Sequence, residues 1–278
     1  MEKICIDDVR FERVMLENEH SGIFSKPVCE VLKLLCPWYI ESLDSNGLSL
    51  ENKVLNSHFI NGLSEIAVPN MAVYDPDDNF MGYIMPYVDG TCYETFCKNR
   101  FRYAKKIAYD LSVYSNEFSF LEDIVMRNNN VVFADLLDKS NIMYNGERFC
   151  FVDYDGIQYN GYLSDLYVLN RDKYVGTKYV KDDFFTKSFD IKQLFSLYFS
   201  TVFGYDLSMI DSASNVSGFI DSEFNRIGLD SDKVKEYVSK LYSTCDNGLL
   251  SDILYDISNN YELYLDDNSN RHVKRKVK

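Results

Sequence analysis

The stretch from Val131 to Gly156, VVFADLLDKSNIMYNGERFCFVDYDG, constrains this chain of 278 residues more than any other. Two apolar runs, Ile142 to Tyr144 and Phe149 to Val152, flank Asn145-Gly146. That dipeptide favours a tight hairpin because both residues tolerate positive φ. A hairpin brings its flanks together, so Asn141 and Asp153 are expected to face one another across a small space. A carboxylate and an amide oxygen form a hard-ligand pair suited to Mg²⁺, which keeps several waters and also takes phosphate oxygens. Asp135 follows the strand-like Val131-Val132-Phe133 and is a candidate to accept a proton from an attacking hydroxyl.

Composition narrows the classes of partner. Lys plus Arg total 29 against 43 Asp plus Glu, a formal charge of −14. That field repels nucleic-acid backbones and anionic membranes, so neither is an expected partner. A phosphate-bearing ligand then needs a local cation or a divalent metal. Apolar residues at 46% exceed what a disordered chain carries and suffice for one large domain or two modest ones. No apolar run approaches the roughly 18 residues of a membrane span, and the start at Met1-Glu2-Lys3 has no signal-peptide pattern. The seven cysteines are scattered without a CxxC pair, so they read as reduced thiols in a cytoplasmic protein. The histidines at 20, 58 and 272 are too far apart to suggest a local metal site.

Hydrophobic periodicity divides the chain. Phe11 to Leu16 and Val28 to Leu35 read as strands, and Met71 to Tyr74 and Phe80 to Met85 as a hairpin around Asp75-Pro76-Asp77-Asp78-Asn79. Leu50, Val54, Leu55 and Phe59 recur at helical spacing, with Ser49 as a candidate cap. Beyond Gly90 the texture is helical. Phe101, Ala104, Ala108, Leu111 and Tyr114 form one stripe, and Ile191, Leu194, Phe195, Tyr198 and Val202 another. The end, Arg271 to Lys278, reads as a solvated basic tail. The expected class is α+β, with a small β-rich lobe and a larger helical one.

The central stretch resembles the catalytic and metal-binding loops of protein kinases, HRDLxxxN and DFG. Val131 to Leu136 falls where such kinases have strand, His, Arg, Asp and Leu; Asn141-Ile142-Met143 matches Asn-Ile-Leu, and Phe151-Val152-Asp153-Tyr154-Asp155 matches the DFG region. Lys33, in Val31-Leu32-Lys33, sits where the family has its VAIK lysine, with Glu51 as its natural partner. Gly82 to Gly90 looks like the hinge, and Gly22 is what the chain offers for a glycine-rich loop. Thr177 to Phe184, with Asp183, resembles the end of an activation segment, and Asp190 the start of the central helix.

The resemblance implies a bilobal kinase-like fold: residues 1–86 as the N-lobe, 87–90 as the hinge, 91–265 as the helical C-lobe and 266–278 as the tail. It implies ATP and Mg²⁺ as cofactors and a protein as substrate or partner. Lys33 would orient phosphates and Glu51 would hold Lys33. Gly22, Met85, Tyr87 and Val88 would line the nucleotide, and Asn141 and Asp153 would bind the metal. Asp135 would position the acceptor hydroxyl, with Lys139 steadying the transferring group. The loop from Asp135 to Asn141 is one residue longer than the family pattern, which leaves Asp138 a share in that role. Two other functions fit the same residues. One is a pseudokinase-type interaction module with weak or no turnover, suggested by the single glycine at Gly22 and by Phe133-Ala134 in place of His-Arg. The other is a small-molecule kinase of the aminoglycoside or choline type, which shares the Asp, Asn and Asp.

Overall fold

Alternating buried side chains and well-formed turns shape the first part of the chain into one mixed sheet. The computed structural model describes residues 1–10, 13–17, 21–26, 30–60, 62–102, 111–128, 130–204, 207, 224–243, 248–265 and 271–276. Strands β1 (Glu2–Cys5), β2 (Arg13–Glu17), β3 (Ser21–Lys26), β4 (Glu30–Leu35), β5 (Met71–Tyr74) and β6 (Phe80–Pro86) form a six-stranded sheet in the order β1-β5-β6-β4-β3-β2. β1 runs parallel to β5; the other neighbours are antiparallel. Leu32 pairs with Ile84 and, with Val73 and Val9, forms a buried cluster on one face. Strand alternation therefore turns Val31, Lys33 and Leu35 to the other face.

The β5–β6 turn follows from its aspartates. Asp75 Oδ1 accepts from the backbone N–H of Asp77 and of Asn79, which supplies the chain reversal a side-chain partner. Helices α1 (Pro37–Ser45) and α2 (Leu50–Leu55) follow β4. Pro37 opens α1, where its missing N–H costs nothing and its fixed φ suits the helix. Ser49 caps α2, its Oγ accepting from Asn52 N. The expected helix near residue 50 is present, but it ends at Leu55, and Ser57–Ile60 is a 3₁₀ turn with Phe59 exposed. α1 was not anticipated.

The chain falls into two compact units. The first comprises Met1–Cys92, Phe133–Asp135 and Ser140–Phe185, and the second Tyr93–Val132, Leu136–Lys139 and Thr186–Lys278. This division differs from a cut at residues 87–90, because the 140–185 segment belongs with the sheet. There, Ile142–Tyr144 pairs with Phe149–Phe151 around the expected Asn145-Gly146, and Asn145 Oδ1 accepts from Glu147 N and Arg148 N. Phe151 is tied to the segment before β5 through its bonds with Glu65 O and Ala67 N. Val180–Lys181 and Phe184–Phe185 form a further hairpin. Its two turn residues, Asp182 and Asp183, both have positive φ, the combination of a type I′ two-residue turn.

The second unit is mostly helical: Tyr93–Arg102, Leu111–Arg127, Lys187–Val202, Ser231–Ser243 and Leu249–Asn260. Leu111–Arg127 packs against Leu249–Asn260 and Lys187–Val202. Buried Glu122 binds the N-terminal amides Leu250 N and Ser251 N, so a carboxylate satisfies donors that a helix start leaves unpaired. Of the expected stripe, Phe101 lies in the helix Tyr93–Arg102 and Leu111 and Tyr114 lie in Leu111–Arg127, while Ala104 and Ala108 lie outside the described residues. Of the region read as a solvated basic tail, Arg271–Arg275 is a strand. Arg271–Arg275 pairs in register with Tyr261–Leu265, burying Val273 opposite Leu263. Cys5, Cys36, Cys92, Cys97 and Cys150 carry no disulfide. Among the described residues no helix is long and apolar enough to cross a membrane.

Candidate functional site

Lys33 is the centre of the site, and every side chain that meets it belongs to the first unit. Its Nζ lies 2.8 Å from Asp153 Oδ1 and 2.8 Å from Asp155 Oδ2, although these residues are 120 and 122 positions away. Burial opposes its charge, but the two carboxylates overcome that and hold its pKa well above the ordinary lysine value. The site exists because β4 carries the lysine on an enclosed face while the Phe149–Phe151 strand delivers both aspartates to it.

The two carboxylates differ. Asp155 is fully buried and all its acceptors are engaged: Oδ1 by Tyr83 Oη at 2.7 Å, Oδ2 by Lys33, and its carbonyl by Lys53 Nζ at 2.7 Å. The Asp153 side chain is 21% exposed and gives only Oδ1 to Lys33. Tyr83 is the cross-strand partner of Lys33, so both side chains project from the same face. Gly82, beside Tyr83, permits this approach: a Cβ there would stand 2.0 Å from Lys33 O.

Lys53 is wholly buried on α2 and donates to the carbonyls of Asp155 and Leu163. Burial brings its pKa down to about 8, although Asp165, Asp155 and Asp153 work in the opposite direction. Its own carbonyl accepts from Tyr154 Oη and Tyr159 Oη. Tyr39, on α1, donates to Asp165 Oδ2 at 2.5 Å. These contacts tie α1, α2 and the 153–165 segment together.

Asp135 follows a strained turn. Ala134 has φ +57°, and Asp135 N bonds back to Phe133 O at 2.7 Å. Such a conformation is costly for an alanine and persists only where the surrounding structure enforces it. Asn141 Nδ2 donates to Asp135 Oδ2 at 3.0 Å, and Asn141 O accepts from Val152 N at 3.0 Å. Gly156 completes the junction. A Cβ at this position would lie 3.1 Å from Asp135 Cβ and 3.2 Å from Asp153 Oδ2, so the missing side chain lets the two aspartates close on the same point.

Of the expected site residues, Asn141 is thus hydrogen-bonded to Asp135 and Lys33 is paired with Asp153, all four within the first unit. Glu51 is a correction. It accepts from Tyr74 Oη at 2.7 Å and stands 3.8 Å from Lys3, and Lys33 takes its carboxylates from Asp153 and Asp155 instead. Gly22 lies inside the ladder of β3, between Glu17 and Leu34, rather than in a loop. Met85 is buried on β6, while Tyr87 and Val88 line a cleft of about 340 Å³ with Ile66, Ala67 and Arg148. Asp138 and Lys139 fall in the second unit, where Asp138 is exposed and Lys139 Nζ donates to Ser200 Oγ. In that unit Gln193, one turn beyond Asp190, accepts from Leu136 N. Asp183 binds Arg171 at 2.8 Å and accepts from Tyr167 Oη.

Asp155, Tyr83 and Lys53 were missed. A signal existed only for Lys53, which stands three residues after Leu50 and just before Val54, on the buried side of α2.

The donor set fits a magnesium–phosphate ligand. Among the described residues Asn141 Oδ1 and Asp153 Oδ2 accept no hydrogen bond, and Lys33 supplies the neighbouring cation. Among the described residues no three His, Cys, Asp or Glu side chains are grouped to hold a metal alone. A metal here would therefore need water or phosphate oxygens as well, the habit of Mg²⁺. Comparison with models of known protein families gives no match, and a search of curated proteins gives none either.

Proposed function

We propose that this chain is an ATP- and Mg²⁺-dependent phosphotransferase of the protein kinase-like superfamily, acting on Ser or Thr hydroxyls of a protein. The observation that carries the reading is the 2.8 Å contact between Lys33 and Asp153, the lysine and the aspartate of the two kinase-like motifs. Lys33 binds the phosphates, Asn141 and Asp153 hold the metal, and Asp135 orients the acceptor hydroxyl and takes its proton. Bound Mg²⁺ would neutralise charge on the transferring phosphoryl group and offset the −14 charge of the chain. The bilobal kinase arrangement and a cytoplasmic location belong to the same reading.

One observation favours a second reading, an interaction module without turnover. Gly22 is enclosed in a strand ladder, which leaves less free backbone to cradle phosphates. The deciding experiment follows γ-phosphate from labelled ATP to generic protein acceptors and to the chain itself, with and without Mg²⁺. The wild type should transfer it only with the metal, and Lys33→Met and Asp153→Ala should each lose about a hundredfold or more. No transfer and no nucleotide binding in the wild type would favour the second reading.

A further inference from the structure

We propose that Asp155 is the positioning residue that holds Lys33 and thereby leaves Asp153 free for the metal. The proposal rests on the phosphotransferase reading and assigns separate duties to two carboxylates that contact one ammonium. Asp155 cannot turn outward, because Tyr83, Lys33 and Lys53 occupy its two carboxylate oxygens and its carbonyl. Asp153 accepts no hydrogen bond at Oδ2, beside Gly156, from the described residues, and is the more exposed of the pair, at 21% against 2% for the side chain.

The same geometry explains how Lys33 is held without a carboxylate from α2. Glu51 is engaged by Tyr74, and the side chain that α2 sends inward is Lys53. Lys53 grips the Asp155 backbone and Tyr83 grips its carboxylate, so the lysine anchor is set by a strand and a helix at once. Were Asp153 to bind a metal, Lys33 would keep Asp155 as an ionic partner. An unpaired buried ammonium would be expensive, and Asp155 removes that obstacle.

The test uses Asp155→Asn, Asp153→Asn and Tyr83→Phe in the full chain. The acylation rate of Lys33 by a small amine-selective reagent is read by peptide mass spectrometry, with Lys3 as the exposed reference. Asp155→Asn, which removes the enclosed and immobilised partner, should raise the Lys33 rate by more than Asp153→Asn does, and Tyr83→Phe should raise it by less than Asp155→Asn. ATP affinity is measured in parallel with and without Mg²⁺. Asp155→Asn should weaken ATP binding yet keep its metal dependence, and Asp153→Asn should lose the metal dependence. Equal or greater labelling in Asp153→Asn, or wild-type labelling in both Asp155→Asn and Tyr83→Phe, would overturn the proposal. Should Asp155→Asn fail to fold, the Tyr83→Phe rate set against that of Asp153→Asn decides it. If the wild type binds no ATP, the phosphotransferase reading fails, and the labelling still decides which carboxylate holds Lys33.

Discussion

Lys33 and Tyr83 stand opposite one another on neighbouring strands, and both side chains end on a single carboxylate, that of Asp155. A cross-strand pair on one sheet face thus becomes a two-pronged grip on a residue 122 positions from Lys33 and 72 from Tyr83 in the chain. Sheet register, which alternation fixes, is what places the ammonium.

Removing the cation should be destabilising. Lys33→Met takes from Asp153 and Asp155 the one cation within ion-pair distance of their carboxylates among the described residues, and breaking such a pair costs about 3 kcal/mol or more. Urea unfolding of the variant should show that loss. A change below about 0.5 kcal/mol would mean the pair is solvated in solution.

Tyr83→Phe removes only the hydroxyl that donates to Asp155. A buried hydrogen bond to a charged acceptor is worth about 1.5–3 kcal/mol, and its loss should appear as a lower denaturation midpoint with unchanged slope.

Lys53 carries a pH signature. Its folded-state pKa, about 8, lies below its ordinary 10.5, so the folded chain sheds this proton before the unfolded chain does. Below pH 8 both states are charged and the folded state bears the full cost of burying the ammonium. As pH rises from 8 towards 10.5 the unfolded state binds more protons, and stability rises relative to a variant lacking the group. Wild type should therefore gain about 2 kcal/mol on Lys53→Met between about pH 7.5 and about pH 9.5. Parallel pH curves for the two proteins would remove Lys53 from its buried position.

The terminal strand offers a test confined to the second unit. Deleting the chain from Arg271 onward strips the partner of Tyr261–Leu265 and exposes Leu263, which should lower stability by about 2 kcal/mol. A solvated tail would be removed without effect.

The limits of the sequence are visible in these residues. Turn chemistry disclosed both hairpins, because Asp75 and Asn145 bond their own loops and such bonds need nothing distant. Lys33 was legible as a charge within an apolar strand, and Asp153 as a carboxylate closing another. Glu51 and Lys53 were exchanged because α2 is only six residues long. Two positions along a helix turn a side chain by about 200°, so a small error of phase swaps the inward and outward residues. Asp155 gave no signal of its own, since its role is created by Tyr83 and Lys53 arriving from other elements. Val273 is the one apolar residue in the Arg271–Arg275 strand, too little to mark a strand by alternation.

The most direct measurement is the thermal stability of wild type and Asp153→Asn with ATP alone, with Mg²⁺ alone and with both. Wild type should be stabilised by ATP with Mg²⁺, by about 2.7 kcal/mol at a hundred times the dissociation constant, and far less by either alone. Asp153→Asn should lose the synergy between nucleotide and metal. A wild type indifferent to millimolar ATP and Mg²⁺, or a variant that keeps the full synergy, would contradict the account.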